Sequence, residues 1–261
     1  MKALALGLAL AAGLTLPLAP ASAETIKVGV TPGPHAQILE KVKEEAARKG
    51  LDIKVIEFSD YVVPNAALSS GDIEANSFQH QPYLDNQIAD RGYKIVSVGT
   101  TVNFPIGIYS TKYKKFEDIP AGSSIGIPND PTNGGRVLLL LADKGIIKLK
   151  PGVGVKASVI DVVENPKKLK FVEIDAAQLP RSLPDLAAAG INTNYAKEAG
   201  LDPVKDPILR EDPKGPYVNV IAVRAQDKDK PWVKTFVETY QSPETRTFIL
   251  ETFKGAVLPS W

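Results

Sequence analysis

Strand-period and helix-period stretches alternate along the chain. Apolar residues first occupy every second position, at Ile26, Val28 and Val30, as in a β-strand with one buried face. A helix-period stretch follows and ends at Gly50. Residues 53–58 are then apolar on both faces, which is typical of a strand buried inside a parallel sheet. This order predicts a doubly wound α/β fold with mainly parallel sheets.

A second block with the same alternation covers residues 109–223. Its helix pattern runs over 133–144, and two further helix patterns close the chain after residue 230. Ser242 is a good N-cap for the last of these helices, with Pro243 at its first position. The predicted strands of the block are 123–127, 170–174, 187–191 and 217–223.

Breaks in the pattern near 108–111 and 212–217 divide the chain into two halves. If the chain crosses between domains at both breaks, the last two helices return to the first domain. We therefore expect one domain from residues 24–109 and 218–261, and a second domain from residues 110–217. This arrangement places a cleft between two α/β domains, which is a common location for a small-ligand site.

Residues 1–23 have the features of a secretory signal peptide. Lys2 precedes an apolar run, and Ala21 and Ala23 are small residues at the two positions that signal peptidase reads. A transmembrane anchor is the alternative, but the run is short, rich in alanine and glycine, and interrupted by prolines. We expect cleavage after Ala23 and a periplasmic or otherwise extracytoplasmic protein.

The composition argues against several classes of function. With 31 Lys and Arg residues against 30 Asp and Glu residues, the chain has no basic surplus of the kind that nucleic-acid binding requires. The sequence contains no cysteine, which excludes disulfides, thiolate metal sites and the modified cysteine of a lipoprotein. We therefore expect a soluble, unanchored monomer that binds no nucleic acid.

An exported hydrolase is the main alternative to a binding protein. The sequence has no G-x-S-x-G motif, and its two histidines, His35 and His80, lack the close spacing of a zinc site. His35 precedes a predicted helix and is interpreted as a capping or loop residue. We predict no catalytic residues, no metal site and no cofactor. A metal-binding importer component that uses His80 with carboxylates is a further alternative.

Seven motifs carry the most specific information in the sequence. They are DYVVPN at 60–65, GDIEANSFQHQPYL at 71–84, PNDPTN at 128–133 with Arg136, DVVENP at 161–166, QLPRS at 178–182, INTNYA at 191–196 and YVN at 217–219. In this order they resemble the motifs of the methionine-binding lipoproteins of the NlpA/MetQ type, over essentially all of residues 24–261. The resemblance implies a two-domain periplasmic-binding-protein-like (type II) fold with a hinged cleft. It also implies a non-enzymatic protein that captures L-methionine, and possibly D-methionine, for the membrane permease of an ABC importer.

The resemblance also implies a role for each of nine residues. Arg136 would bind the ligand carboxylate, and Asn192 and Asn219 would meet its amino group. Four residues would surround the thioether: Tyr61, Phe78, His80 and Tyr83. Asn129 and Asn133 lie in the same ligand-facing loop, with a less defined role. The ligand could instead be another aliphatic amino acid or a short peptide, because sequence spacing does not reveal the length of the pocket.

Elementary chemistry is consistent with these roles. Arg136 follows a predicted helix start, where backbone N–H groups favour an anion, and its guanidinium can form a bidentate pair with a carboxylate. From spacing alone, an arginine on the surface of an ordinary helix is the alternative. Phe78 and His80 share one face of a predicted strand. Core packing for Phe78 and a structural role for His80 are the alternatives there.

Overall fold

The computed structural model describes residues 24–261. The predicted signal peptide, residues 1–23, lies outside this range. Within it, none of the helices combines the length and the apolar character that crossing a membrane requires.

Strands and helices alternate over most of the described residues. The strands are β1 (Glu24–Val30), β2 (Leu51–Glu57), β3 (Ala75–His80), β4 (Ile95–Asn103), β5 (Gly107–Tyr109), β6 (Ser124–Pro128), β7 (Lys148–Leu149), β8 (Val162–Glu164), β9 (Lys170–Ile174), β10 (Ala188–Ile191), β11 (Leu209–Arg210), β12 (Val218–Arg224) and β13 (Leu258–Pro259). The helices are α1 (Pro34–Ala47), α2 (Val63–Ser70), α3 (Gln81–Arg91), α4 (Pro131–Asp143), α5 (Leu179–Ser182), α6 (Thr193–Glu198), α7 (Pro231–Tyr240) and α8 (Pro243–Phe253).

The strands form two main sheets, one for each domain. The first has six strands in the order β13-β4-β12-β3-β1-β2, and the second has five in the order β11-β5-β10-β6-β9. Strands β7 and β8 form a separate antiparallel pair. The predicted two-domain α/β fold is therefore confirmed.

Each main sheet is parallel on one side and antiparallel on the other. In the first sheet β1 is parallel to β2 and β3, whereas β12 is antiparallel to both β3 and β4. In the second sheet β6 is parallel to β9 and β10, whereas β5 is antiparallel to β10 and β11. The sequence predicted mainly parallel sheets. In the first sheet the difference arises because β12 returns from the other domain and inserts between β3 and β4 in the opposite direction.

The chain passes twice between the sheets, from β4 to β5 and from β11 to β12. The predicted domain limit at residue 109 would keep β5 in the first domain, but β5 pairs within the second sheet. We propose that the first domain comprises residues 24–103 and 218–261, and that residues 107–210 form the second. The segments 104–106 and 211–217 then connect the two.

The core of the first domain forms where α1, α7 and α8 pack on its sheet. The alternating residues of β1 are buried, and so are Phe236 of α7 and Ile249 of α8. A buried side chain of this size stabilises the fold by about 1.5–3 kcal/mol. Both helices thus share a core with β1, which supports our proposal that residues 218–261 belong to the first domain.

Two glycines allow close packing around helix α4, Gly135 within the helix and Gly190 on β10. A Cβ added to Gly135 would lie 2.6 Å from the carbonyl oxygen of Ala157, and one added to Gly190 would lie 2.4 Å from Cγ2 of Val137. Real Cβ atoms do not approach other atoms this closely, so only glycine fits at these positions. The contact at Gly190 places α4, and with it Arg136, close to β10.

We expect Gly190→Ala to destabilise the protein by about 1–3 kcal/mol, because the added methyl must push α4 away from β10. Chemical denaturation measures this loss. Gly215→Ala is the matched control, since a Cβ there meets its nearest atom at 3.4 Å, an ordinary contact. Equal stability of the two variants would contradict the close packing of α4.

Candidate functional site

A cavity with an empty volume of about 350 Å³ lies between the two domains. The second domain contributes five lining residues, Asn133, Arg136, Asn192, Thr193 and Asn194. The other lining residues come from the first domain and from the first connecting segment. The cavity is therefore completed only when both domains are in place.

Eight of the nine predicted site residues line this cavity, namely Tyr61, Phe78, His80, Tyr83, Asn133, Arg136, Asn192 and Asn219. Asn129 is not among them. Its side chain is exposed, and its backbone N–H donates to the carbonyl oxygen of Ile174, which extends the pairing of β6 with β9. Asn129 thus lies outside the cavity, whereas Asn133, which follows it on α4, lines the cavity.

Arg136 projects from α4 and is 2% exposed. Its Nε donates to Oε1 of Glu211 at 2.8 Å and its Nη2 to Oε2 at 2.5 Å. Nη2 also donates to the carbonyl oxygen of Phe104 at 2.8 Å, and the guanidinium lies 4.1 Å from the centre of the Tyr217 ring. Among the described residues, Nη1 has no hydrogen-bond partner. Glu211 and Phe104 therefore occupy Nε and both N–H groups of Nη2, and Nη1 alone is available to a ligand.

The sequence predicted that backbone N–H groups at the N-terminus of α4 would favour a ligand anion. In the structure this position is already occupied. The side chain of Asp130 caps the helix and accepts a hydrogen bond from the backbone N–H of Asn133 at 2.9 Å. The same carboxylate accepts from Nδ2 of Asn133 and from the hydroxyl of Thr132. An anion that belongs to the protein thus occupies this position.

His80 links the two domains through Asn133. Its Nδ1 accepts from the backbone N–H of Tyr83 at 3.1 Å, so the proton resides on Nε2, which lies 3.1 Å from Oδ1 of Asn133. Burial, together with the nearby charge of Arg136, lowers the pKa of His80 to about 3. The ring is therefore neutral, and both nitrogens are engaged by protein. His80 contributes a wall rather than a free polar group.

The same hydrogen bonds leave no nitrogen of His80 for a metal ion. In residues 24–261 no three His, Cys, Asp or Glu side chains cluster in a way that could hold one. The structure thus offers no support for a metal-binding component built on His80.

Two asparagines of the second domain carry polar atoms without a protein partner. Asn192 donates through Nδ2 to Oδ1 of Asn133 at 2.9 Å, but its own Oδ1 is buried and unpaired among the described residues. Asn194 accepts from the hydroxyl of Tyr61 at 2.6 Å, while its Nδ2 is buried and unpaired over the same range. Buried polar atoms in folded proteins are normally paired, so these atoms indicate where a ligand would be held.

Aromatic rings form the opposite wall of the cavity. The ring centres of Tyr61, Phe78 and Tyr83 are 6.0 to 6.1 Å apart in each pair, and Tyr195 lies 5.0 Å from Tyr61. The hydroxyl of Tyr83 donates to the carbonyl oxygen of Tyr61 at 2.8 Å. Mutual packing and this hydrogen bond fix the positions of the rings relative to one another.

Sequence reasoning did not identify five of the lining residues as site residues: His35, Gln79, Phe104, Thr193 and Asn194. The interpretation of His35 as a capping or loop residue was wrong. It lies in the first turn of α1, is 3% exposed and packs on Phe104 with ring centres 4.6 Å apart. Its position after β1 was an available signal, because ligands of α/β sheets bind at the carboxyl ends of parallel strands.

The two domains touch each other directly around the cavity. Besides the contact of His80 with Asn133, the hydroxyl of Tyr61 binds Asn194 and the hydroxyl of Tyr195 donates to the carbonyl oxygen of Ser59 at 3.2 Å. These contacts define a closed arrangement of the cleft.

The two buried histidines should make stability depend on pH. Burial lowers the pKa of His35 to about 3, as for His80, against an ordinary value of 6.5. Below pH 6.5 the unfolded chain binds protons that the folded chain does not, so stability present at neutral pH is lost as the pH falls. Each histidine should account for about 2 kcal/mol of the loss between pH 7.5 and pH 5.

Denaturant unfolding at the two pH values, compared between the parent chain and His35→Phe, tests this expectation. The variant should lose less stability on acidification, by about 2 kcal/mol. An identical pH dependence would mean that His35 is not held neutral by burial.

Comparison with known proteins places the chain in a family. A family model described as NlpA lipoprotein matches residues 26–261. The D-methionine-binding lipoprotein MetQ of Escherichia coli (strain K12) is 53% identical over 239 residues, which cover 90% of this chain and 88% of that relative. The structure of a nutrient binding protein from Burkholderia cenocepacia bound to methionine is 57% identical, with a TM-score of 0.89, and covers 90% of this chain and 100% of that one. A periplasmic substrate-binding protein of an ABC transporter from Coxiella burnetii is 46% identical, with a TM-score of 0.87 and the same coverage.

These relatives correct the expected localisation. The sequence contains no cysteine, and for that reason we expected a soluble protein without a membrane anchor. The E. coli relative and the family itself are named lipoproteins, which contradicts that expectation. The absence of one residue type was too narrow a basis for deciding anchoring. The match of the family model over nearly all of the described residues shows that the chain belongs to the NlpA lipoprotein family.

Proposed function

We propose that this chain binds methionine, in its L or D form, in the cavity between its domains and delivers it to the permease of an ABC importer. Members of the family are substrate-binding proteins and not enzymes. The names of the E. coli and Burkholderia cenocepacia relatives support methionine as the ligand, and the name of the Coxiella burnetii relative supports the importer. The observation that carries the proposal is a single cavity with a half-free guanidinium, uncharged amide acceptors and an aromatic wall.

The carboxylate of the ligand would bind at Nη1 of Arg136, the one nitrogen of the guanidinium without a partner among the described residues. Hydrogen bonds to a charged group contribute about 1.5–3 kcal/mol, more than neutral ones. The ammonium group would donate to the unpaired Oδ1 of Asn192 and to the side chain of Asn219, which is 4% exposed and lines the same cavity. Because amide oxygens carry no charge, they avoid the cost of burying a carboxylate beside the ligand.

The thioether would lie against Tyr61, Phe78 and Tyr83. Contacts between sulfur and aromatic rings contribute about 0.3–1.5 kcal/mol each. Burial of the apolar chain adds roughly 25 cal/mol for each Å² removed from water. The wall thus favours an unbranched, polarisable side chain over a charged one.

The closed arrangement of the cleft favours a single amino acid over a peptide. A longer ligand would have to break the contacts of Tyr61 with Asn194 and of Tyr195 with Ser59, which join the domains around the cavity. Another aliphatic amino acid remains the second candidate, because an aromatic wall accepts any apolar side chain of suitable length. Displacement of methionine by leucine or norleucine would measure that preference.

Ligand binding would stabilise the closed cleft. The carboxylate and amine sites belong mainly to the second domain, while the aromatic wall belongs to the first. A ligand that spans both adds contacts that an open form lacks, and only such differential contacts shift the equilibrium. An importer that recognises the closed surface would then distinguish loaded from empty protein.

Methionine should raise the melting temperature of protein that has been unfolded, dialysed and refolded. A ligand that binds only the folded state adds about 2.7 kcal/mol at one hundred times its Kd. Refolding removes ligand that could have been carried through purification. Calorimetry with and without methionine makes the measurement, and an unchanged melting temperature at millimolar ligand would count against methionine.

Arg136→Lys should weaken methionine binding by about 10- to 100-fold, because lysine keeps the charge beside Glu211 but cannot present two edges at once. Titration calorimetry measures the change. Arg91→Lys is the matched control, since Arg91 lies exposed in the last turn of α3. Similar affinities for the two variants would place the carboxylate site elsewhere.

A further inference from the structure

The charge of Arg136 is already balanced before any ligand binds. Two hydrogen bonds join its guanidinium to Glu211, and the two side chains are 2% and 13% exposed. Glu211 also accepts from the backbone N–H of Ile106 at 3.2 Å. It therefore connects α4 to both segments that join the domains, residues 104–106 and 211–217. Because Glu211 does not line the cavity, it would act on a ligand through Arg136.

The lining of the cavity contains no other ionised side chain within the described residues. Burial lowers the pKa of its two histidines, His35 and His80, so both are neutral. The carboxylate of Asp130 caps α4 and is engaged by four hydrogen bonds. Burial raises the pKa of Tyr61 and Tyr83, and the charge of Asp130 adds to that rise, so it reaches the aromatic wall. Arg136 and Glu211 sum to zero as a pair, so the site carries no surplus positive charge for a ligand carboxylate to neutralise.

A site without surplus positive charge distinguishes ligands by their own net charge. A zwitterion brings a carboxylate to Arg136 and an ammonium to the asparagines without adding net charge to a buried space. A carboxylate that lacks the ammonium brings an uncompensated negative charge close to Glu211. Like charges in a poorly solvated site repel strongly, because the effective dielectric constant is far below that of water.

We propose that Glu211 determines the specificity of the site for zwitterionic amino acids over simple carboxylate anions. It cancels the charge of Arg136 while leaving Nη1 free to orient a ligand carboxylate. The proposal rests on the proposed function, since it concerns the same cavity. A residue that only supported the conformation of Arg136 would, when replaced, weaken binding of both classes of ligand to the same extent.

The test compares two ligands on the full chain after unfolding and refolding. Methionine is the zwitterion, and 4-(methylsulfanyl)butanoate, which lacks only the amino group, is the anion. Titration calorimetry or competition binding gives the ratio of the two dissociation constants. This ratio cancels any loss of affinity that the two ligands share.

In the Glu211→Gln variant the preference for methionine over the anion should fall by about tenfold or more. The unbalanced guanidinium attracts the carboxylate of both ligands, but it repels the ammonium of methionine alone. Asp212→Asn is the matched control. It removes the same charge from the next residue, which is exposed and accepts only from the backbone N–H of Lys214. The control should keep the parent ratio. An unchanged ratio in Glu211→Gln, or an equal change in both variants, would overturn the proposal.

Glu211→Asp is the charge-preserving companion of Glu211→Gln. If Glu211→Gln does not fold, a parent chain that binds the anion as tightly as methionine would overturn the proposal. Aspartate keeps the negative charge but is one methylene shorter, so it should lower affinity for both ligands and preserve their ratio. A ratio that falls in this variant would contradict the charge argument. If the parent chain binds neither ligand, the proposed function fails. If it binds methionine but the ratio of the two dissociation constants does not change in Glu211→Gln, only the present inference fails.

Discussion

The ion pair between Arg136 and Glu211 is the interaction on which the rest of the site depends. A guanidinium that is 2% exposed could not persist in the cleft without a partner, because an uncompensated buried charge is strongly destabilising. Glu211 meets that requirement with two hydrogen bonds, Phe104 accepts a third, and Nη1 stays without a partner among the described residues. The pair also connects α4 of the second domain to the segment that returns to the first. Ligand recognition and domain connection therefore share one pair of side chains.

The other polar side chains discussed around the cavity differ in whether protein groups satisfy all their hydrogen bonds. His80, Asn133 and Asp130 have their hydrogen bonds completed by protein and hold the cavity in shape. Asn192 and Asn194 each keep a buried atom that no described residue pairs with. Unpaired buried polar atoms are costly in a protein core, but they are expected in a binding site, where a ligand can form the missing hydrogen bonds. The pattern suits a small molecule with both a donor and an acceptor end.

Local patterns predicted the fold well because they reflect burial directly. The alternation at Ile26, Val28 and Val30 and the capped helix after Ser242 both occur where the sequence placed them. The antiparallel half of each sheet was not predictable, since the direction of β12 depends on where the chain re-enters the first domain. A pairing that spans the whole chain leaves no periodic signal in any short window.

Prediction of the site succeeded where motifs are contiguous and failed where contacts are remote. Eight predicted residues line the cavity, but Glu211 lies 75 residues from Arg136 and no spacing rule joins them. Asn129 was predicted with its neighbours in the loop, yet its backbone continues the pairing of β6 with β9 and its side chain faces outward. His35 was interpreted as a capping or loop residue, because its burial against Phe104 is a tertiary contact that the local sequence does not reveal.

The most direct test of this account is a crystal structure of the chain with methionine bound. The account predicts the ligand carboxylate at hydrogen-bond distance from Nη1 of Arg136, roughly 2.7–3.2 Å, with the pair between Arg136 and Glu211 intact. It also predicts the ammonium beside Oδ1 of Asn192 and the sulfur among the aromatic rings. Methionine bound in the reverse direction, or a carboxylate that displaces Glu211 from the guanidinium, would contradict it.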